Sequence, residues 1–101
     1  MKLLAATATA ATLILTAQTA TAGPISRACI KSDRAAASRA LCGCIQNVAN
    51  LTLKPRDQRL AAKFFGEPDK AQEIRMSKSD YHNAFWARYK QFGHTAQATC
   101  S

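Results

Sequence analysis

Two cysteines separated by a single residue carry the most evident chemistry in this chain. Cys42 and Cys44 lie on either side of Gly43. Closely spaced thiols can exchange disulfides through a thiolate of low pKa, so the pair is a candidate redox couple. We favour structural disulfides instead, because the chain has no Cys-x-x-Cys motif and no βαβ pattern around the pair. The nearest fixed positive charge, Arg39, belongs to a residue type that is common throughout the sequence.

The partners of these two cysteines depend on the helix that holds them. Each residue turns a helix by about 100°, so the two thiols lie about 200° apart and cannot bond each other within it. In one scheme Cys29 and Cys100 each bond one of them, which pins both ends of the domain to a central helix. Cys29 reaches Cys42 only if that helix starts near Ser38 rather than at Asp33. In the other scheme Cys29 bonds Cys100, and the Cys-Gly-Cys pair is reduced or locally unwound.

Metal binding and nucleophilic catalysis have less support in the sequence. His82 and His94 lie 12 residues apart, which is about 18 Å along one helix, so they cannot share a metal ion. We expect His82 to pack as a neutral side chain beside the apolar face and His94 to face solvent. The chain has no Cys-x-x-Cys-His haem motif, and its carboxylates are scattered. We therefore predict no catalytic residues, no metal and no cofactor.

A ridge of positive charge is the remaining candidate site. Arg56, Arg59 and Lys63 stand at positions i, i+3 and i+7, opposite Leu60 and Phe64 on a predicted helix. Such a ridge can hold phosphates or the headgroups of anionic lipids. The competing interpretation is the ordinary solvated face of a basic protein. A second basic set would behave in the same way if its segment is helical: Arg27, Lys31 and Arg34.

The first 22 of the 101 residues have the pattern of a secretory signal peptide. Lys2 supplies a positive charge, residues 3–17 contain no ionisable group, and Ala20-Thr21-Ala22 is a small-x-small cleavage site. We expect residues 23–101 to form a single domain that is periplasmic or secreted. In that segment 13 basic residues stand against six acidic ones, a balance that either favours anionic partners or serves only the solubility of the protein. A domain this small needs more than its core for stability, and four cysteines in an exported chain predict disulfides.

The elements that position these residues are all predicted to be helices. Residues 25–31 can form a short helix, and the central helix ends near residues 51–53. The next helix runs from Pro55 to Gly66, and a weaker one follows from Pro68 to about Met76. The segment 77–80 matches a capping box ahead of the last helix. The fold class is therefore all-α, a disulfide-stapled bundle of about four helices.

The last helix carries an apolar stripe whose members recur at steps of three and four. They are Tyr81, Phe85, Tyr89, Phe92, Ala96 and Cys100. We interpret the aromatic residues as core rather than as a platform for stacking bases, and nucleic acid is not an expected partner. Of these aromatic residues, only Trp86, at the edge of the stripe, is a candidate for exposure to solvent.

A series of short motifs extends over almost all of the mature chain. In order, they are Ala28-Cys29, Leu41-Cys42-Gly43-Cys44-Ile45-Gln46, Asp57-Gln58-Arg59-Leu60-Ala61-Ala62, Phe64-Phe65, Pro68-Asp69-Lys70-Ala71-Gln72, Phe85-Trp86-Ala87-Arg88-Tyr89, Phe92-Gly93 and Cys100. Together they resemble a family of short exported bacterial four-cysteine proteins, mostly uncharacterised and sometimes labelled "arginine transporter". The resemblance implies the same architecture and brings no catalytic or binding residues. Because the mature chain has no spanning segment and is too short for a two-lobed solute-binding protein, we expect at most an accessory to transport.

The sequence thus predicts a non-enzymatic binding or accessory module that acts outside the cytosol, on an unknown protein or an anionic surface. Two alternatives stay open. The first is a binder of anionic lipid or polyanion that uses the ridge Arg56, Arg59 and Lys63. The second is a thiol–disulfide redox protein that uses Cys42 and Cys44.

Overall fold

The structure of the chain is a computed structural model that describes residues 11–12, 23–32 and 37–100. These residues contain five α-helices and no strand, which confirms the all-α prediction. The helices are α1 (Pro24–Lys31), α2 (Arg39–Thr52), α3 (Pro55–Gly66), α4 (Pro68–Arg75) and α5 (Asp80–Cys100). The predicted signal peptide over residues 1–22 falls almost entirely outside the described residues and stays a prediction. No helix in the described ranges is both long enough and apolar enough to cross a bilayer.

The helix starts follow from local sequence. Helices α1, α3 and α4 each begin with proline, whose fixed φ suits the first turn and whose missing N–H costs nothing there. Helix α2 begins at Arg39 because the Ser38 hydroxyl accepts a hydrogen bond from the Leu41 N–H at 3.1 Å. Helix α5 starts two residues later than the capping box predicts. Its cap is Ser79, whose hydroxyl accepts from the His82 N–H at 3.4 Å.

The core is formed where α2 packs on α1 and α5, and where α3 packs on α1 and α4. Every helix contributes to one continuous cluster of buried apolar side chains. Its members are Ile25, Val48, Ala49, Leu53, Ala61, Phe64, Ile74, Phe85 and Phe92. The Phe64 and Phe85 rings meet edge to face with 6.0 Å between their centroids, which joins α3 to α5.

Both disulfides bind an end of the domain to α2. Cys29 bonds Cys42 and Cys44 bonds Cys100, with Cα atoms 5.6 and 5.8 Å apart respectively. This is the first of the two schemes that the sequence allows. The late start of α2 permits it, because Cys42 then lies in the first turn of that helix, within reach of α1.

Candidate anion-binding face

The predicted ridge on α3 faces outward. Arg56, Arg59 and Lys63 are all exposed, whereas Phe64 is buried on the other side of the helix and Leu60 is half-buried beside the ridge. Arg56 is also held in place, because its guanidinium carbon lies 3.7 Å from the centre of the Tyr81 ring. A cation over an aromatic face is attracted by the ring quadrupole. The ridge therefore has one positioned cation and two that project into solvent.

The ring beneath Arg56 is part of a buried polar cluster between α3 and α5. The Asp57 carboxylate is fully buried and accepts hydrogen bonds from Arg88 Nε at 2.7 Å and Arg88 Nη2 at 2.9 Å. It also accepts from the Tyr81 hydroxyl at 3.1 Å and from the Lys54 backbone N–H at 3.0 Å. The bond from Lys54 caps the amino terminus of α3. All the lone pairs of this buried charge are thus directed at donors, as a buried carboxylate requires.

The same contacts govern ionisation in the cluster. Burial by itself raises the pKa of Asp57, but the hydrogen bonds from Arg88, the Lys54 backbone and Tyr81, together with the Arg88 charge, outweigh it and lower the pKa below its ordinary value. The pKa of Tyr81 is raised by burial and by its hydrogen bond to the Asp57 carboxylate. Asp57 is therefore a charged structural anchor, and its surroundings do not favour the protonated form that a general acid needs.

Helix α1 adds a second lysine beside α3. The carboxyl-terminal parts of α1 and α3 enclose an open groove of about 390 Å³, here called the basic groove. It is lined by Ala28, Lys31, Ser32, Ala62, Lys63, Phe65, Gly66 and Glu67. Neither Lys31 nor Lys63 forms an ion pair with a carboxylate in the part of the chain that the structure describes. The two ammonium groups are consequently available to an anion from outside.

Positive charge is concentrated in the half of the protein that contains this groove. Residues 23–66 include eight basic and two acidic residues, whereas residues 67–101 include five basic and four acidic ones. One of the two acids in the first half is Asp57, whose charge is already matched by Arg88. Of the second basic set predicted from sequence, Arg27 and Lys31 are exposed on α1, and Arg34 lies outside the described residues.

The cysteines offer little to thiol chemistry in this structure. All four are in disulfides, and Cys29 and Cys42 are 3% and 0% exposed. Thiol–disulfide exchange requires an accessible thiolate or an accessible disulfide sulfur. The Cys44–Cys100 bond is the more accessible of the two, since both of its residues are half-buried.

The two histidines lie at or near the surface, and the aromatic residues of α5 lie in or against the core. His82 is half-buried and its Nδ1 lies 2.7 Å from the Ser77 hydroxyl, while His94 is exposed. Over residues 23–32 and 37–100, no group of three or more His, Cys, Asp or Glu side chains is arranged to hold a metal ion. Phe85 and Phe92 are buried and Trp86 is half-buried against the core.

A buried amide network between α1, α2 and α3 was not predicted from the sequence. Gln46 is 1% exposed, and its Oε1 accepts the Ser26 backbone N–H at 2.9 Å. Its Nε2 donates to Gln58 Oε1 at 2.8 Å and to Asn50 Oδ1 at 2.9 Å. Gln46 thus caps the first turn of α1 from a neighbouring helix. The signal that could have revealed it is a pair of glutamines standing among the apolar positions of α2 and α3.

Comparisons with protein-family models, with curated proteins and with solved structures found no match.

Proposed function

We propose that this protein is a non-enzymatic binding module that acts outside the cytosol, in the periplasm or after secretion, and that it binds anionic surfaces through its basic face. The basic face consists of Lys31, Arg56, Arg59 and Lys63. The observation that carries the proposal is that lysines from two different helices border one groove with no carboxylate paired to either of them among the described residues. Exposed cations of this kind suit phosphate and carboxylate groups at a lipid or polyanion surface.

The disulfides support the location. All four cysteines are paired, and such bonds persist in oxidising compartments and are rare in the cytosol. Non-reducing peptide mapping of the protein recovered from the cell envelope and from the medium tests this part. We expect the Cys29–Cys42 and Cys44–Cys100 peptides and an amino terminus at Gly23. A cytosolic protein with four free thiols would refute it.

The binding part is tested by co-sedimentation with vesicles of phosphatidylglycerol and phosphatidylcholine, and with vesicles of phosphatidylcholine alone. We expect binding to the anionic vesicles, weakened steeply between 0.05 and 0.5 M salt because the Debye length falls below about 10 Å in that range. Each basic residue near an anionic surface contributes about 1 kcal/mol. Combined Lys31→Glu, Arg59→Glu and Lys63→Glu substitutions should therefore weaken binding by about 100-fold or more.

The chain offers a control of identical charge. Arg75→Glu, Lys78→Glu and Lys90→Glu together change the net charge by the same amount on exposed positions of the other half. We expect this variant to retain most of its binding. Equal losses in the two triple variants would mean that only net charge matters, and the basic face would then not be the site.

A further inference from the structure

Arg56 differs from the other cations of the basic face because its position is fixed. Its guanidinium carbon lies 3.7 Å from the centre of the Tyr81 ring, which indicates that the planar group lies on the face of the ring. This contact occupies one face of the guanidinium and leaves the N–H donors along its edges. None of these donors is paired with a carboxylate in the described ranges. Arg56 is exposed, so the donors are open to a ligand from solvent.

The ring beneath Arg56 is itself held in place. The Tyr81 hydroxyl donates to the Asp57 carboxylate at 3.1 Å, and Arg88 holds the same carboxylate with two hydrogen bonds. The Tyr81 ring also packs near the buried Phe85 ring, with 6.4 Å between their centroids. Arg56 therefore loses little side-chain entropy when it binds an anion. Because Arg88 matches the charge of Asp57, the charge of Arg56 remains unopposed.

The arrangement of the donors indicates which anion fits. The edge of a guanidinium presents two parallel N–H groups, which match two oxygens of one phosphate or carboxylate. Arg59 stands one turn further along the exposed face, with its Cβ about 5–6 Å from that of Arg56, so its side chain can reach a third oxygen. A phosphomonoester has three terminal oxygens and a charge of about −1.5 to −2 at neutral pH. A carboxylate or a phosphodiester offers two such oxygens and a single charge.

We propose that Arg56 is the residue of the basic face that recognises phosphate, and that its preferred ligand is a phosphomonoester group. Tyr81 is a positioning residue, which holds the guanidinium and does not touch the ligand. The phosphomonoester can belong to a lipid, as in phosphatidic acid, or to a soluble phosphate ester. This inference rests on the proposed function and narrows it from anionic surfaces in general to one headgroup chemistry.

The first experiment compares methyl phosphate, dimethyl phosphate and acetate as soluble probes. Chemical shifts of the oxidised protein are followed during each titration at neutral pH and constant ionic strength. Methyl phosphate should bind about fivefold more tightly than the other two, which is the effect in water of one further unit charge about 4 Å from a cation. The amide and side-chain N–H signals of Arg56 and Arg59 should move most. Equal affinities for the three probes, or shifts confined to other residues, would overturn the inference.

Substitutions that conserve charge separate recognition from net charge. Arg56→Lys lacks the two parallel donors and should weaken the binding of methyl phosphate by about tenfold, the usual effect of losing one charge-assisted hydrogen bond. Arg59→Lys is the matched control and should weaken it by less than about twofold, because a single ammonium donor suffices for the third oxygen. Equal losses in the two variants would overturn the inference.

The role of Tyr81 is tested by a pair of variants. Tyr81→Leu removes the ring and should weaken the binding of methyl phosphate as much as Arg56→Lys does. Tyr81→Phe keeps the ring and should recover most of the affinity, whereas failure of this recovery would contradict the positioning role. If Tyr81→Leu does not fold, the comparison of Arg56→Lys with Arg59→Lys still decides, since both positions are exposed.

Vesicles containing phosphatidic acid or phosphatidylglycerol, matched in zeta potential, distinguish a lipid from a soluble ligand. Stronger binding to phosphatidic acid that is lost in Arg56→Lys supports the inference with a lipid as the source. Equal binding to both vesicles, together with a preference for methyl phosphate, supports it with a soluble ester as the source. A preference for methyl phosphate without any vesicle binding keeps the inference and removes the surface function. Vesicle binding that Arg56→Lys does not change, without a preference for methyl phosphate, keeps the surface function and overturns the inference.

Discussion

Asp57 links α3 to α5 through its ion pair with Arg88. It is fully buried and charged, and Arg88, which reaches it from α5, keeps 27% of its side chain exposed. The sequence places Asp57 near the amino terminus of α3, where a negative charge interacts favourably with the helix dipole. It does not reveal the partner, because Arg88 is 31 positions away and only the packing of α5 brings it close.

Replacing Asp57 by Asn should destabilise the protein by about 2–3 kcal/mol. Loss of one partner of a buried ion pair costs about 3–5 kcal/mol, and the partial exposure of Arg88 reduces that figure because its charge can be hydrated. Urea denaturation followed by circular dichroism measures the effect. Asp69→Asn, at an exposed position in the first turn of α4, should change the free energy of unfolding by less than about 0.5 kcal/mol. Equal effects for the two variants would show that the buried pair contributes nothing.

The same carboxylate predicts part of the acid sensitivity. Because the folded pKa of Asp57 lies below its ordinary value near 3.8, its contribution to stability is complete above that value. The contribution is lost as the pH falls below about 4 through the lowered folded pKa. The free energy of unfolding should therefore fall more steeply between pH 4.5 and pH 2 for the natural protein than for Asp57→Asn. Parallel curves for the two proteins would contradict the assignment.

Gly23 lies against the Gln46 side chain, and this close approach, rather than its backbone angles, favours glycine at the position. A Cβ at Gly23 would overlap the Gln46 carboxamide, which is buried and hydrogen-bonded to Ser26 and Gln58. Gly23→Ala should therefore displace Gln46 and cost about 1–2 kcal/mol, since buried polar groups would lose their partners. Gly93→Ala is the control: an added Cβ there meets nothing within 4 Å, and alanine in a helix is worth up to about 1 kcal/mol over glycine. Thermal unfolding should show opposite shifts, and a stabilised Gly23→Ala would refute the account.

At the scale of elements, the sequence predicts the helices better than their contacts. Prolines and serines mark most helix starts, and the apolar stripe of α5 is visible as a period of three and four. The sequence alone does not decide where α2 begins. Asp33 and Ser38 are both good N-cap residues, and the alanines between them favour helix. The groove between α1 and α3 could not be predicted, since it depends on how two separate helices align.

Helix α1 is the element that depends most on its disulfide. It has eight residues, too few for a helix that is stable in water by itself, and it supplies Lys31 to the basic groove. Cys29→Ser with Cys42→Ser should loosen α1, seen as faster amide exchange over residues 24–31, and should weaken binding to anionic vesicles. Cys44→Ser with Cys100→Ser should instead loosen the end of α5 and leave vesicle binding nearly unchanged. Equal loss of binding in both variants would show that α1 has no special part in it.

At the scale of the whole molecule, the covalent links and the core carry comparable shares of the stability. The loops closed by the two disulfides have sequence separations of 13 and 56 residues. In the chain-entropy model these contribute about 3 and about 4 kcal/mol. A core of this size supplies only a few kcal/mol.

The oxidised protein should therefore unfold in one cooperative transition at high temperature, whereas full reduction should leave it largely unfolded at 25 °C. The removal of about 7 kcal/mol exceeds the few kcal/mol that the hydrophobic core of so small a domain supplies by itself. Far-ultraviolet circular dichroism during a thermal scan, with and without a phosphine reductant, measures the difference. Alkylation of the reduced sample and mass spectrometry confirm that all four thiols are free. A reduced, fully alkylated protein that keeps its helicity and its melting temperature would show that contacts between the helices alone hold the bundle together.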